Sequence, residues 1–188
     1  MKKFLTVIFA VVLVVVAQAQ TWTHDKNHSK LGFGVTHLLI SEVQGSFKTF
    51  DVKVTATKDD LSDAIFEVTA DVASITTDLE MRDNDIRGAN FFDAAKFPSL
   101  TFKSTSFKKV DGNKYAMVGD LTIKGVTKSI TLDVILNGPV EHPRSKKLLA
   151  GLKISGTFKR SDFGVGPSPH PTAGDEVTLI ANGEIIKQ

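Results

Sequence analysis

Apolar and polar residues alternate along most of this chain, and that alternation narrows its folding options sharply. A strand sends successive side chains to opposite faces, so period two marks a β-strand with one buried face. The pattern recurs eight times. In the first run, HSKLGFGVTHLLI, Leu31, Phe33, Val35, His37 and Leu39 share the face expected to be buried, with Lys30, Gly32, Gly34 and Thr36 opposite. In the second, EVQGSFKTFDVKVTAT, Val43, Gly45 and Phe47 fall on odd positions, whereas Phe50, Val52, Val54 and Ala56 fall on even ones. Such a change of parity predicts a bulge or sharp bend near Lys48-Thr49. Further runs carry Phe66, Val68, Ala70 and Val72; Leu100, Phe102 and Ser104; Tyr115, Met117, Gly119, Leu121 and Ile123; and Ile130, Leu132, Val134 and Leu136. Two more span Leu148 to Phe158 and Val177 to Ile186. Turns are expected at Lys58-Asp59-Asp60, Asp111-Gly112-Asn113 and Asn137-Gly138-Pro139.

Closing into a barrel is one of the ways in which eight such strands with short links remove their adhesive edges. An eight-stranded barrel is either filled by side chains or holds one small ligand. The inward faces mix small residues (Gly45, Ala70, Ser104, Gly119, Gly156) with large rings (Phe47, Phe66, Phe102, Tyr115, Phe158). This mixture suits a filled taper and an open slot equally.

The N-terminus has another character. MKKFLTVIFAVVLVVVAQA combines two lysines, an apolar run and an Ala17-Gln18-Ala19 end, the parts of a cleavable secretory signal covering residues 1–19. Removing those 19 of 188 residues leaves 169, positions 20–188, enough for one domain with a sizeable core. Without Lys2 and Lys3 the 23 basic residues become 21 against 21 acidic ones, so no basic footprint for nucleic acid survives. The chain has no cysteine, so an exported fold here rests on its core alone, as suits a bacterial periplasmic or secreted protein.

One stretch breaks the alternation: RDNDIRGANFFDAAKFP, residues 82–98. A short helix of about three turns is expected over 78–90, with Asp78 as N-cap and Leu79 and Ile86 on one apolar stripe. Phe91-Phe92 then turn inward and Phe97-Pro98 begin the return strand. These rings plug the barrel end, close over a ligand or form an apolar surface patch.

Candidate polar groups are few. His37 sits on the apolar face. A neutral imidazole satisfied by a backbone carbonyl is the common outcome at such a position, and a hydrogen bond to a ligand head group is the alternative. Arg82, Asp83, Arg160 and Asp162 are expected to form ion pairs, the alternative being that the two arginines meet a phosphate or carbonyl. Catalysis lacks its usual parts, with neither a G-x-S-x-G elbow nor a cysteine nucleophile. A metal site drawn from His24, Asp25 and His28 has no supporting His or Cys cluster. His142 and His170 lie in proline-containing loops and read as exposed.

Five ordered blocks resemble the YceI-like family of periplasmic polyisoprenoid-binding proteins. They are DKNHSKLGFGVTH, with Asp25, His28, Ser29, Phe33 and His37; VQGSFKTFD, with Gly45, Phe47 and Phe50; SITTDLEMRDNDIRGANFFDAAKFP, with Ser74, Ile75, Thr77, Arg82, Asp83, Phe91, Phe92, Asp93, Phe97 and Pro98; GDLTIKGVTKSITL; and FKRSDFGVG, with Arg160, Asp162, Phe163 and Gly164. The resemblance implies an all-β fold, an extended lipocalin-like eight-stranded antiparallel β-barrel with one short helix. It implies a tunnel for a long amphiphile, in family members an isoprenoid, an isoprenoid quinone or a fatty amide, and frequent homodimers. After Gly164 this chain departs from the pattern with the proline-rich VGPSPHPTAGDEV; a loop of that kind at a tunnel mouth would alter head-group preference.

The expected lining and rim are Phe33, Val35, His37, Phe47, Phe50, Phe91, Phe92, Phe102, Met117, Leu121, Phe158, Arg160 and Phe163, with no catalytic or metal-binding residue and no cofactor. The sequence therefore reads as a carrier or sink for an isoprenoid-type or acyl lipid, a possible homodimer with no stable membrane insertion once the leader is removed. The other reading is a filled barrel that acts through its surface or its dimer, with no cargo.

Overall fold

The computed structural model describes residues 19–188. The expected leader, apart from Ala19, lies outside the described residues. Eight strand paths, every neighbour antiparallel, close into a barrel.

The first path is broken into β1 (Gln20–His24) and β2 (Lys30–His37), both lying along β11 (Ala173–Lys187). The second is β3 (Ser41–Phe47) and β4 (Phe50–Ala56), bent at Lys48-Thr49 as the parity change predicts. Ser74 holds that bend: its hydroxyl accepts from Thr49 N at 3.0 Å and its carbonyl from Lys48 N at 3.2 Å. The backbone donors freed by the interrupted ladder are thereby satisfied. The third path is β5 (Ile65–Asp71), a 3-10 turn at Val72–Ser74 and β6 (Ile75–Thr76), which pairs with β3. After the helix α1 (Glu80–Arg87) come β7 (Ser99–Asp111), β8 (Lys114–Ile123), β9 (Val126–Glu141), β10 (Leu148–Lys159) and β11. Among the described residues no helix is long and apolar enough to cross a membrane.

Three local expectations are corrected. α1 has eight residues rather than three turns, and Asp78 is not its cap: Asp78 adopts a left-handed φ of 61° and Leu79 takes the N-cap position. Leu79 is exposed, so the stripe shared with Ile86 does not form. Leu39 leaves the buried face, because β2 ends at His37 and residues 38–40 form a turn. Finally, Asn137-Gly138-Pro139 does not end its strand. β9 continues to Glu141, with Val140 opposite Leu149, and the register shift at Leu149/Gly151 absorbs the irregularity. Gly138 has a φ of 97°, which requires glycine there.

The barrel interior is filled at one end. Phe107 and Tyr115 stack in parallel at 4.5 Å, Phe66 packs against Phe107 at 5.1 Å, and Trp22 is wholly buried nearby in the core. Ser104, a polar residue inside, is satisfied where β7 bulges, its hydroxyl accepting from Phe66 N at 2.8 Å. The other end is different.

Candidate functional site

At the end where β2 passes into β3 and β10 into β11, the interior opens as a cavity of about 350 Å³. Its walls explain why large and small residues alternate. The Phe33 ring lies over Gly45 on the neighbouring strand, where a β-carbon would collide with it, and Phe102 lies in the same way over Gly119. Glycine on one strand lets the ring of the next lie against the wall instead of across the bore. Phe33, Val35, His37, Phe47, Leu121 and Phe158 all border this cavity. Phe163 does not. It borders neither cavity and is a buried core ring, meeting Phe158 edge-on at 5.5 Å, so its role is to support the wall.

Below lies a second cavity of about 100 Å³, bordered by Phe50, Phe102 and Met117. Leu31, Leu100, Leu121 and Leu179 border both and form a waist between them. The half-filled, half-open interior thus combines the two arrangements that the sequence pattern allows. His24 also borders the lower cavity, stacked on Phe50 at 4.9 Å with its Nδ1 accepting from Val52 N at 3.1 Å. It is therefore not part of a His24-Asp25-His28 set. Asp25 and His28 bond to each other at 3.0 Å, with Glu184 close by. That hydrogen bond lowers the Asp25 pKa and raises that of His28.

The insert 82–98 roofs the upper cavity through Ile86, Phe91 and Phe92. After Gly88 the chain folds back on the helix, Phe92 N donating to Ile86 O at 3.0 Å and Ala94 N to Arg87 O at 2.9 Å. Phe97 packs on the β8–β9 turn at Gly125 instead of facing the cavity. The charged half of the insert fastens this roof. Asp83, only 2% exposed, accepts from Thr77 N at 2.7 Å, from the Thr76 hydroxyl at 2.9 Å and from the Thr77 hydroxyl. Burial alone would raise its pKa; these donors, with Arg87 at 3.9 Å, outweigh burial and hold it below the usual carboxylate range.

The arginines correct the expected ion pairs. Arg82 donates to the Thr77 hydroxyl at 2.7 Å and to the Thr77 carbonyl at 2.8 Å, and the partner of Asp83 is Arg87. Arg160 is 5% exposed and donates to four carbonyls, Val165 (2.8 Å), Gly174 (2.9 Å), Pro167 (2.9 Å) and Ala173 (3.3 Å). It organises the proline-rich loop from within and still borders the cavity, a cation hydrogen-bonded by neutral acceptors. Asp162 is exposed; Asp175 instead accepts from Ser161 N at 3.0 Å and the Ser161 hydroxyl at 2.7 Å. Those bonds, aided by Arg160, lower the Asp175 pKa.

Two histidines face the opening. His37 is half-buried, and among the described residues its imidazole has no hydrogen-bond partner, so the satisfied histidine expected on the apolar face is not found. His170, expected to be merely exposed, borders the cavity 5.8 Å from the Phe91 ring. Its Nδ1 accepts from Ala173 N at 3.1 Å and Thr172 N at 3.2 Å, which places the proton on Nε2 and leaves that nitrogen free as a donor. No sequence pattern marks His170, because it reaches the rim only through the loop that Arg160 holds. The site is thus an elongated apolar bore with a mouth of hydrogen-bond donors, His170 and Arg160, beside the unpartnered His37.

Comparison with known proteins gives a consistent match. The YceI-like domain matches residues 22–185. The UPF0312 protein SA2479 of Staphylococcus aureus is 39% identical over 144 residues, covering 77% of this chain and 81% of that protein. Among solved structures, BcnA of Burkholderia cenocepacia superposes with a TM-score of 0.76 at 26% identity, covering 86% of this chain and 98% of BcnA. A polyisoprenoid binding domain from Saccharophagus degradans shares the fold at a TM-score of 0.64 and 14% identity, covering 89% of this chain and 98% of that domain.

Proposed function

Because the chain belongs to the YceI-like family, we propose that it is a lipid-binding protein of the bacterial periplasm or exterior, a carrier or sink without catalytic turnover. One long isoprenoid-type chain occupies the bore, and its polar head lies at the mouth. The observation that carries this reading is the pair of apolar cavities end to end, about 350 and 100 Å³, open towards one end and filled at the other. Burying ten carbons at about 0.8 kcal/mol each gives roughly 8 kcal/mol gross, a micromolar affinity before ordering costs. Chain burial supplies the affinity, and the few mouth donors select the head. His170 Nε2 and the Arg160 guanidinium favour a head group that accepts hydrogen bonds, such as a carbonyl or a phosphate. That the Saccharophagus degradans structure of the same fold is a polyisoprenoid binding domain supports an isoprenoid-type chain as a candidate cargo. The secretory leader read in residues 1–19 supports export.

Native mass spectrometry of the mature protein, purified from a periplasm without detergent, tests this. A stoichiometric adduct whose extracted mass fits an isoprenoid or acyl lipid is expected. Bare protein that also takes up no added prenyl lipid or quinone would remove the carrier reading.

A further inference from the structure

The mouth carries a feature that neither the barrel nor the cavity requires. Between β2 and β3, Leu38, Leu39 and Ile40 are 50%, 90% and 84% exposed, three large apolar side chains in succession at a turn. Leu38 and Leu39 both hold left-handed φ values, 51° and 62°. Glycine or asparagine would adopt that backbone more readily, so leucine there is not explained by turn chemistry. The turn is also anchored. Ile40 N donates to His37 O at 3.1 Å, and Leu38 N donates to Thr172 O at 2.9 Å, tying the turn to the loop that Arg160 and His170 organise. Immediately below, Val35 and Val43 border the cavity beside His37, so the apolar tip adjoins the lining of the bore. Across the mouth, Met81 on α1 is likewise exposed, on the helix that supplies Ile86 to the roof.

We propose that this turn inserts into the hydrocarbon boundary of a lipid bilayer, so that the barrel docks mouth-first and exchanges its cargo directly with the membrane. The inference rests on the lipid-carrier reading. A water-insoluble chain must otherwise cross bulk solvent to reach the cavity, whereas a docked mouth keeps it in apolar contact throughout. Size argues against a protein partner. A stable interface engages roughly 20–30 residues a side, whereas a turn of three residues is the size of a wedge that enters the acyl boundary beside the head groups. Charge indicates the kind of surface. Residues 31–47 contain no lysine or arginine, and Glu42 is their one carboxylate. Docking therefore depends on insertion rather than on attraction to anionic lipid, and salt leaves it unchanged.

Flotation of the mature protein with phosphatidylcholine vesicles, at low salt and at 1 M salt, tests the proposal beside the double variant Leu39→Ser, Ile40→Ser. The wild type is expected to float equally at both salt concentrations, and the variant to lose at least about tenfold in bound fraction with an unchanged circular dichroism spectrum. Binding abolished by salt, or retained fully by the variant, overturns insertion by this turn. A wild type that stays off vesicles but self-associates through residues that the variant removes would assign the tip to a second copy of the chain, overturning the proposal. Lipid content is measured on the same preparations. Protein that carries lipid but does not float loses the docking proposal and keeps the carrier reading; protein that floats through this turn but carries no lipid does the reverse.

Discussion

Leu121→Ala is the most informative change, because Leu121 is buried and borders both cavities opposite Phe102 on β7. The substitution removes three carbons from the waist, and truncations of this kind cost about 3 kcal/mol in lost transfer energy and residual cavity. For a chain of this size that lowers the midpoint of thermal unfolding by roughly 6–12 °C in the lipid-free protein. The opposite effect falls on the ligand. Each methylene that passes the waist adds about 0.8 kcal/mol, close to fourfold in affinity, so one further five-carbon isoprene unit adds roughly 4 kcal/mol gross. The variant should therefore carry chains longer by about one isoprene unit. Its deficit in unfolding temperature should narrow once loaded, because a ligand bound only to the folded state stabilises it. Extraction and mass spectrometry of lipid from both proteins, with thermal unfolding of loaded and stripped samples, make the comparison. An unchanged lipid profile at unchanged stoichiometry, with the full loss in unfolding temperature, would mean that no chain passes Leu121 and that the two cavities do not serve one ligand.

Gly45→Val forces the Phe33 ring off the wall. Lipid content should fall while the circular dichroism spectrum is kept and stability drops by about 1–3 kcal/mol; undiminished lipid content would show that the ring has another place to go. Asp83 has a folded-state pKa below its unfolded value of roughly 3.9. Its contribution is therefore complete above that value and is lost as pH falls through the folded pKa. Asp83→Asn should cost about 1–3 kcal/mol at pH 7 by urea unfolding, and the gap to wild type should shrink at pH 3; a constant gap would refute an ionised carboxylate at the root of the roof. Leu39→Asn relieves a left-handed leucine, so it should raise stability by about 1 kcal/mol, whatever it does to vesicle binding; a drop in stability would indicate a folding role for Leu39.

Some of the site was legible in the chain because it follows from short-range rules. The bend at Lys48-Thr49 shows as a parity change, and the inward rings show as alternation. The roof shows as a break in that alternation, Phe91 and Phe92 following a charged helix. What could not be read depends on how the backbone turns in space, even between residues close in sequence. Phe163 has the same ring chemistry as Phe158 but lies behind it. His170 resembles any loop histidine until the Arg160 guanidinium, gathering four carbonyls, folds its loop over the mouth. Arg82 and Asp83 are neighbours that invite pairing, yet a helix sends adjacent side chains to different faces, so Asp83 meets Arg87 one turn later.

The sequence by itself determined the run of one-faced strands, since a period of two leaves each strand one face to bury, and the resemblance of its five ordered blocks implied the antiparallel barrel. It also determined the family to which the chain belongs. Whether the interior was full or hollow was decided only by tertiary structure. A phenylalanine on an inward face can cross the bore or lie along the wall, and which it does depends on the residue opposite on the next strand. Where the Phe33 and Phe102 rings lie over Gly45 and Gly119 of the neighbouring strands, they stay along the wall and the bore stays open; where Phe107 meets Tyr115 and Phe66, the rings stack and the barrel closes.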